Sequence, residues 1–192
     1  MTGWSLPTCV KVAGKDYAIR TDFRAVLDAL AALKAPELQA QERTAAFFRI
    51  LFPDWKALIA SRQTAEAALN AALAFIDLGR TPSAELLPRR PVLVDWEKDA
   101  ALIAPGIDKV LGYSCRRCTY LHWWEFVGAY MSIGQGLFAE VVAIRDKQAR
   151  GKPLDKHERQ FLRENLELVA LPSSSRELTS EDKAFLARLG IE

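Results

Sequence analysis

The sequence predicts a mainly α-helical single domain of about seven or eight helices with an N-terminal β-hairpin. Two observations predict it. Apolar residues recur at the three-to-four spacing of a helix face in segment after segment, most behind a residue suited to cap a helix, whereas strict alternation occurs only near the N-terminus. Half of the 192 residues are apolar and the formal charge is only +2, a balance that can bury a core and that excludes a disordered chain.

Val10 and Val12 alternate with Cys9, Lys11 and Ala13, residues 13–16 can turn, and Tyr17 to Arg20 returns, which predicts a hairpin. Thr21 and Asp22 can cap a helix whose face is Phe23, Val26, Leu27, Leu30 and Leu33, closed by Pro36. A second helix is expected from Glu37 to Phe52, ending there because proline at 53 disfavours helical geometry in the residue before it. A third should run from Gln63 to Leu78, with Gly79 as its left-handed stop.

Residues 80–94 hold Pro82, Pro88 and Pro91 and are expected to be a linker inside a domain spanning 1–172. Asp95 can cap a helix carrying Trp96, Ala100, Ile103, Ile107 and Val110, kinked at Pro105 and ended by Gly112. The next helix, Tyr120 to Ile133, is apolar on nearly every side and is expected to be buried and central. Gly134 and Gly136 break it, and Leu137 opens a helix that turns polar towards Arg150. Asp155 with Glu158 reads as a capping pair before a helix reaching Val169. Residues 173–192 are expected to form a flexible joint and a short last helix with Phe185, Leu186 and Leu189.

Composition narrows the function as well. The chain up to Asp95 carries 12 basic and 10 acidic residues and the remainder 14 of each, so neither half is a basic arm and nucleic acid is not an expected partner. The richest apolar stretch, Tyr120 to Ile133, contains His122 and Glu125, so no membrane span is expected. Three cysteines cannot all pair, and no secretory leader pattern is seen, which points to a reducing compartment.

Cys115 and Cys118, with His122 one helical turn further on, form the single pattern with a reactive reading. A structural zinc takes four ligands, and neither His157 nor Cys9 has a paired spacing that would complete the set. A redox pair would follow a strand, whereas a helix is expected before Cys115. Two ordinary thiols and a hydrogen-bonded core histidine are the plainer reading, and a small metal or redox protein using these three residues is the runner-up function. Gly134 and Gly136 lack the further glycine, the lysine and the strand of a phosphate loop. Arg145, Lys147, Arg150, Lys152, Lys156, Arg159 and Arg163 make the best basic patch and are expected to be a solvated helical face. No catalytic set, metal or cofactor is expected. Trp123 and Trp124 point about 100° apart on a helix, so both are covered only in a surrounded helix or against a partner.

The order of several motifs is similar to that of the bacteriophage gene-product-fifteen family. They are Trp4-Ser5-Leu6-Pro7, Ile19-Arg20-Thr21-Asp22-Phe23-Arg24, Leu51-Phe52-Pro53-Asp54-Trp55, Phe75-Ile76-Asp77, Asp95-Trp96-Glu97-Lys98-Asp99-Ala100, Tyr120-Leu121-His122-Trp123-Trp124 and Ile144-Arg145-Asp146-Lys147. The resemblance spans residues 4 to about 168, and Pro105, Cys115 and Cys118 depart from it. Genes of that family lie between those of the tail tube and tape measure proteins of long-tailed phages. The resemblance therefore implies a non-enzymatic tail assembly chaperone in the host cytoplasm, absent from the mature virion. Its implied partners are the tape measure protein, the tail tube protein and further copies of itself. Trp96, Tyr120, Trp123, Trp124 and Tyr130 are the residues expected nearest such a contact.

Overall fold

The computed structural model describes residues 4–80 and 91–171. Most of the expected linker, residues 81–90, and the C-terminal joint and helix lie outside the described residues. Nine helices and one two-stranded antiparallel sheet account for the described elements, and 57% helix agrees with the mainly α expectation. The described residues form two compact units, one of residues 4–80 with Tyr120–Phe126, the other of residues 91–119 with 127–171.

In the first unit, β1 (Cys9–Val12) pairs with β2 (Lys15–Ala18) in a register that sets Val10 opposite Tyr17 and Val12 opposite Lys15. The turn is shorter than expected, because Ala13 and Gly14 both take positive φ, 48° and 83°, and a two-residue mirror-image turn matches the twist of the strands. Val12 is buried, as its alternation requires. Helix α1 (Phe23–Lys34) starts where Asp22 accepts from the Arg24 N–H. Helix α2 (Ala40–Leu51) begins three residues later than expected, at a capping box in which Glu42 accepts from the Gln39 N–H, and it ends before Pro53 as expected. A one-turn helix, α3 (Trp55–Leu58), had no sequence signal, since four residues are too few to show a period. Helix α4 (Arg62–Ile76) is capped by Ser61, and Gly79 beyond it takes φ of 80°. Phe47, Phe48, Leu51, Phe52, Leu58, Ala68 and Ala72 are wholly buried and form the heart of this unit's core.

In the second unit, α5 (Ala100–Leu111) corrects the sequence reading: its N-cap is Asp99, not Asp95. The Asp95 carboxylate instead accepts from the Glu97 and Lys98 N–H groups and closes a turn that holds Trp96 outside the helix. A side chain at Gly106 would meet Ile133 at 2.9 Å, so this glycine allows the helix that carries it to lie close to that residue. Helix α7 (Leu137–Ala149), α8 (Lys156–Glu164) and the one-turn α9 (Leu166–Val169) complete the unit. Asn165 separates the last two, where the sequence suggested one helix. Asp155 and Glu158 form the expected capping box. Val141, Ile144 and Val169 are buried at its centre, packed by Leu102, Leu154, Phe161, Leu162 and Leu168.

Helix α6 (Trp123–Met131) belongs to both units, its first four residues counted with the first. It starts three residues after the expected Tyr120 and is not buried all round, because Glu125, Gly128 and Met131 form an exposed face. The late start has a local cause. Residues 120–122 are drawn out into an isolated antiparallel bridge between Asp22 and His122, where Phe23 N–H donates to Leu121 at 3.0 Å and Trp123 N–H to Thr21 at 2.7 Å.

Candidate functional site

The aromatic run at 120–124 is the place to begin, since three of the five residues expected near a partner lie in it. The Trp123 indole donates to the carbonyl of Ile76 at 2.8 Å, and the Trp124 indole to that of Phe75 at 2.9 Å. These are among the last carbonyls of α4; that of Phe75 also accepts from the Leu78 N–H at 3.2 Å. Trp123 is 2% exposed and stacks on Phe126, so it is a core residue. Trp124 is half-buried. Tyr120 is 52% exposed, and its hydroxyl shares a 2.7 Å hydrogen bond with Thr21.

His122 is 1% exposed, with Nδ1 accepting from the Trp124 N–H and Nε2 facing the carbonyl of Pro7, both at 3.0 Å. A carbonyl only accepts, so Nε2 carries the proton. Both ring nitrogens are occupied, and the histidine has no lone pair left for a metal. Cys115 is also buried, and its N–H donates to Asp108 at 2.7 Å. Burial first, and then a hydrogen bond to the Asp108 carboxylate, push the Cys115 thiol up to about 11. Burial works to raise Asp108 too, but hydrogen bonds from the Cys115 thiol and N–H and from Ser114 hold that carboxyl below its usual range. The Cys118 thiol donates to the Cys115 carbonyl at 3.1 Å. Among the described residues no group of three or more His, Cys, Asp or Glu could hold a metal ion. The metal reading thus finds no ligand set among the described residues.

Trp96 and Tyr130 come together in the second unit, ring centres 4.9 Å apart, with Phe138 against the other side of Tyr130 at 5.8 Å. Burial, and then the charge of Asp99, raise the Tyr130 phenol above its usual range. Beneath lies the feature that sequence reasoning missed. Arg145, expected on a solvated basic face, is 4% exposed and forms a two-pronged ion pair with Asp99 at 2.7 and 2.9 Å. Both residues stand in the quoted motifs, but 46 positions apart, and nothing in either run announces the other. Lys147 and Arg150 are likewise engaged, with Glu158 and Asp146. The basic patch is therefore broken up by ion pairs.

In each unit a groove lies beside these aromatics. In the first, a groove of about 370 Å³ runs along β1 and α4, lined by Pro7, Val10, Ala71, Ala74, Phe75 and Trp124 among others. Gly79 lies there with positive φ, and a side chain on it would meet the Trp124 ring at 3.3 Å. In the second, a groove of about 500 Å³ is walled by residues 91–94, Tyr130 and Val142, with the Asp146–Arg150 ion pair also lining it. Trp4 stands almost fully exposed. Among the described residues, every buried side-chain nitrogen or oxygen has a hydrogen-bond partner. No described helix is long and apolar enough to cross a membrane.

The motifs quoted from the sequence thus meet in pairs. Pro7 meets His122, Thr21 and Asp22 meet residues 120–123, Phe75 and Ile76 meet the two tryptophans, and Asp99 meets Arg145. They hold the fold. The family model described as Bacteriophage Gp15 protein matches residues 4–171, which covers all of them. No curated protein and no solved structure matches the chain significantly.

Proposed function

Because the chain belongs to the bacteriophage Gp15 protein family, we propose that it is a non-enzymatic tail assembly chaperone of a long-tailed phage. Its client is the tape measure protein, with tail tube subunits as a second partner, and it acts in several copies in the host cytoplasm and leaves before the virion is complete. The placement of the family's genes beside those for these two tail proteins supports the reading. The observation that carries it is the division of labour among the motif side chains. Their buried polar atoms are spent on one another, while Trp124 and Tyr130 border open, largely apolar grooves.

A tape measure protein is a very long, largely helical chain whose apolar stripes need cover until the tube encloses them. A groove flanked by rigid aromatic rings suits an amphipathic helix, which presents its apolar residues at a three-to-four spacing. Release needs only modest affinity at each contact, since assembling tube subunits can then compete the chaperone away. Trp124 and Tyr120 in the first unit, and Trp96 and Tyr130 in the second, are the contact residues of this reading, with Trp123 as their buried support.

Co-expression with the neighbouring tape measure protein is the test. A soluble complex that co-purifies, together with loss of tape measure solubility when the chaperone gene is omitted, is the expected result. Equal solubility with and without it, and no complex, would end the proposal.

A further inference from the structure

We propose that the buried Asp99–Arg145 pair is a latch that couples two segments of the second unit, the extended strap at residues 91–95 and the one-turn helix α9. Loosening either one then loosens the other.

On the strap side, Arg145 Nη1 donates to the Leu93 carbonyl at 2.9 Å, and the Asp95 N–H donates to the Asp99 carboxylate at 2.9 Å. The pair thus holds the strap at two points. On the α9 side, Arg145 Nε donates to the Val169 carbonyl at 2.8 Å and Nη2 to that of Leu168 at 2.9 Å. Lys98, in the turn that follows the strap, donates to the carbonyl of Ala170. No backbone hydrogen bond joins strap and helix among the described residues, so their hydrogen-bonded connection runs through these side chains.

A guanidinium has five N–H donors, and all five are used here, two on Asp99 and one each on Leu93, Val169 and Leu168. The side chains of Arg145 and Asp99 are 3% and 1% exposed. A buried ion that loses one partner cannot exchange it for water, so a half-undone latch is a poor state and both sides open together. Such coupling is reciprocal: whatever biases one segment biases the other by the same factor. Residues 91–94 are also a wall of the second unit's groove, so the latch ties the position of that wall to the last described turn of the chain.

Hydrogen exchange on the full-length protein tests this with two variants. Arg145→Lys keeps the charge but offers three donors from a single point, so the amides of Asp95 and of residues 168–170 should all exchange faster, by about tenfold or more. Glu167→Gly puts the most flexible residue at an exposed position inside α9 and loosens that helix without altering a partner of Arg145 or the strap. The latch requires that Asp95 also lose protection in this variant. Faster exchange confined to residues 166–170, or an Arg145→Lys protein in which only one segment responds, would overturn the proposal. Should Arg145→Lys fail to fold, the Glu167→Gly result decides.

Discussion

The indole N–H of Trp124 donates to the carbonyl of Phe75 at 2.9 Å, one residue before the carbonyl that Trp123 takes at 2.8 Å. Two consecutive side chains thereby close the end of a helix that finished 47 residues earlier in the chain. Arg20 does the same for α2, donating to the carbonyls of Arg49 and Ile50 at 2.8 and 2.6 Å. In both, a side chain distant in sequence donates to carbonyls in the last turn of the helix.

Removing these donors should cost unequal amounts. Trp123→Phe takes the indole N–H away from the Ile76 carbonyl beneath a ring that is itself buried, and should destabilise the protein by about 1–3 kcal/mol. Trp124→Phe should cost less, because water reaches a half-buried site. Urea unfolding curves of the two variants check this, and equal midpoints would show that burial does not set the cost.

Cys115 should resist alkylation. With its thiol held at about 11, only about one molecule in a thousand carries the reactive thiolate at pH 8, and burial hinders access further. Exposed Cys9 should react with iodoacetamide first, and Cys115 should follow only as the second unit opens. Mass spectrometry of tryptic peptides over time reads both, and early labelling of Cys115 would contradict the burial described.

Acid should weaken the start of α8. The backbone hydrogen bond from the Glu158 N–H is the largest cause holding Asp155 below its usual pKa, and the Lys147 ammonium is the largest cause holding Glu158 below its own. Both folded values lie under the unfolded ones. The unfolded chain therefore takes up protons more readily, and the contribution, complete above about pH 5, is lost as pH falls through the carboxylate range. Glu158→Gln should flatten this part of the melting-temperature profile between pH 6 and 3, and an unchanged slope would count against it.

Much of the fold was legible because it is local. The alternation at Val10 and Val12, the cap at Asp22, the stop at Pro53 and the capping box at Asp155 and Glu158 each involve residues within a few positions of one another. The reading slipped where a distant partner intervened and where two local devices competed. Tyr120 to His122 are apolar enough for a helix, yet the bridge to Asp22 draws them straight, and Asp95 yields the cap to Asp99 because its carboxylate closes a turn first. The expected contact residues were legible as aromatic side chains, but not which of them face outward.

The sequence by itself determined that the chain folds as helices behind a hairpin, because periodicity, capping chemistry and turn residues act over a few positions. Its motifs also placed it in its family. Only the tertiary structure decided that Arg145 is a buried ion and not a surface cation, that Trp123 is core while Trp124 borders a groove, and that His122 has no nitrogen to spare. The reason is physical: burial and hydrogen-bond partnership depend on what arrives from elsewhere in the chain. An arginine in a run of polar residues reads as solvated until an aspartate 46 positions away supplies the charge that lets it leave water.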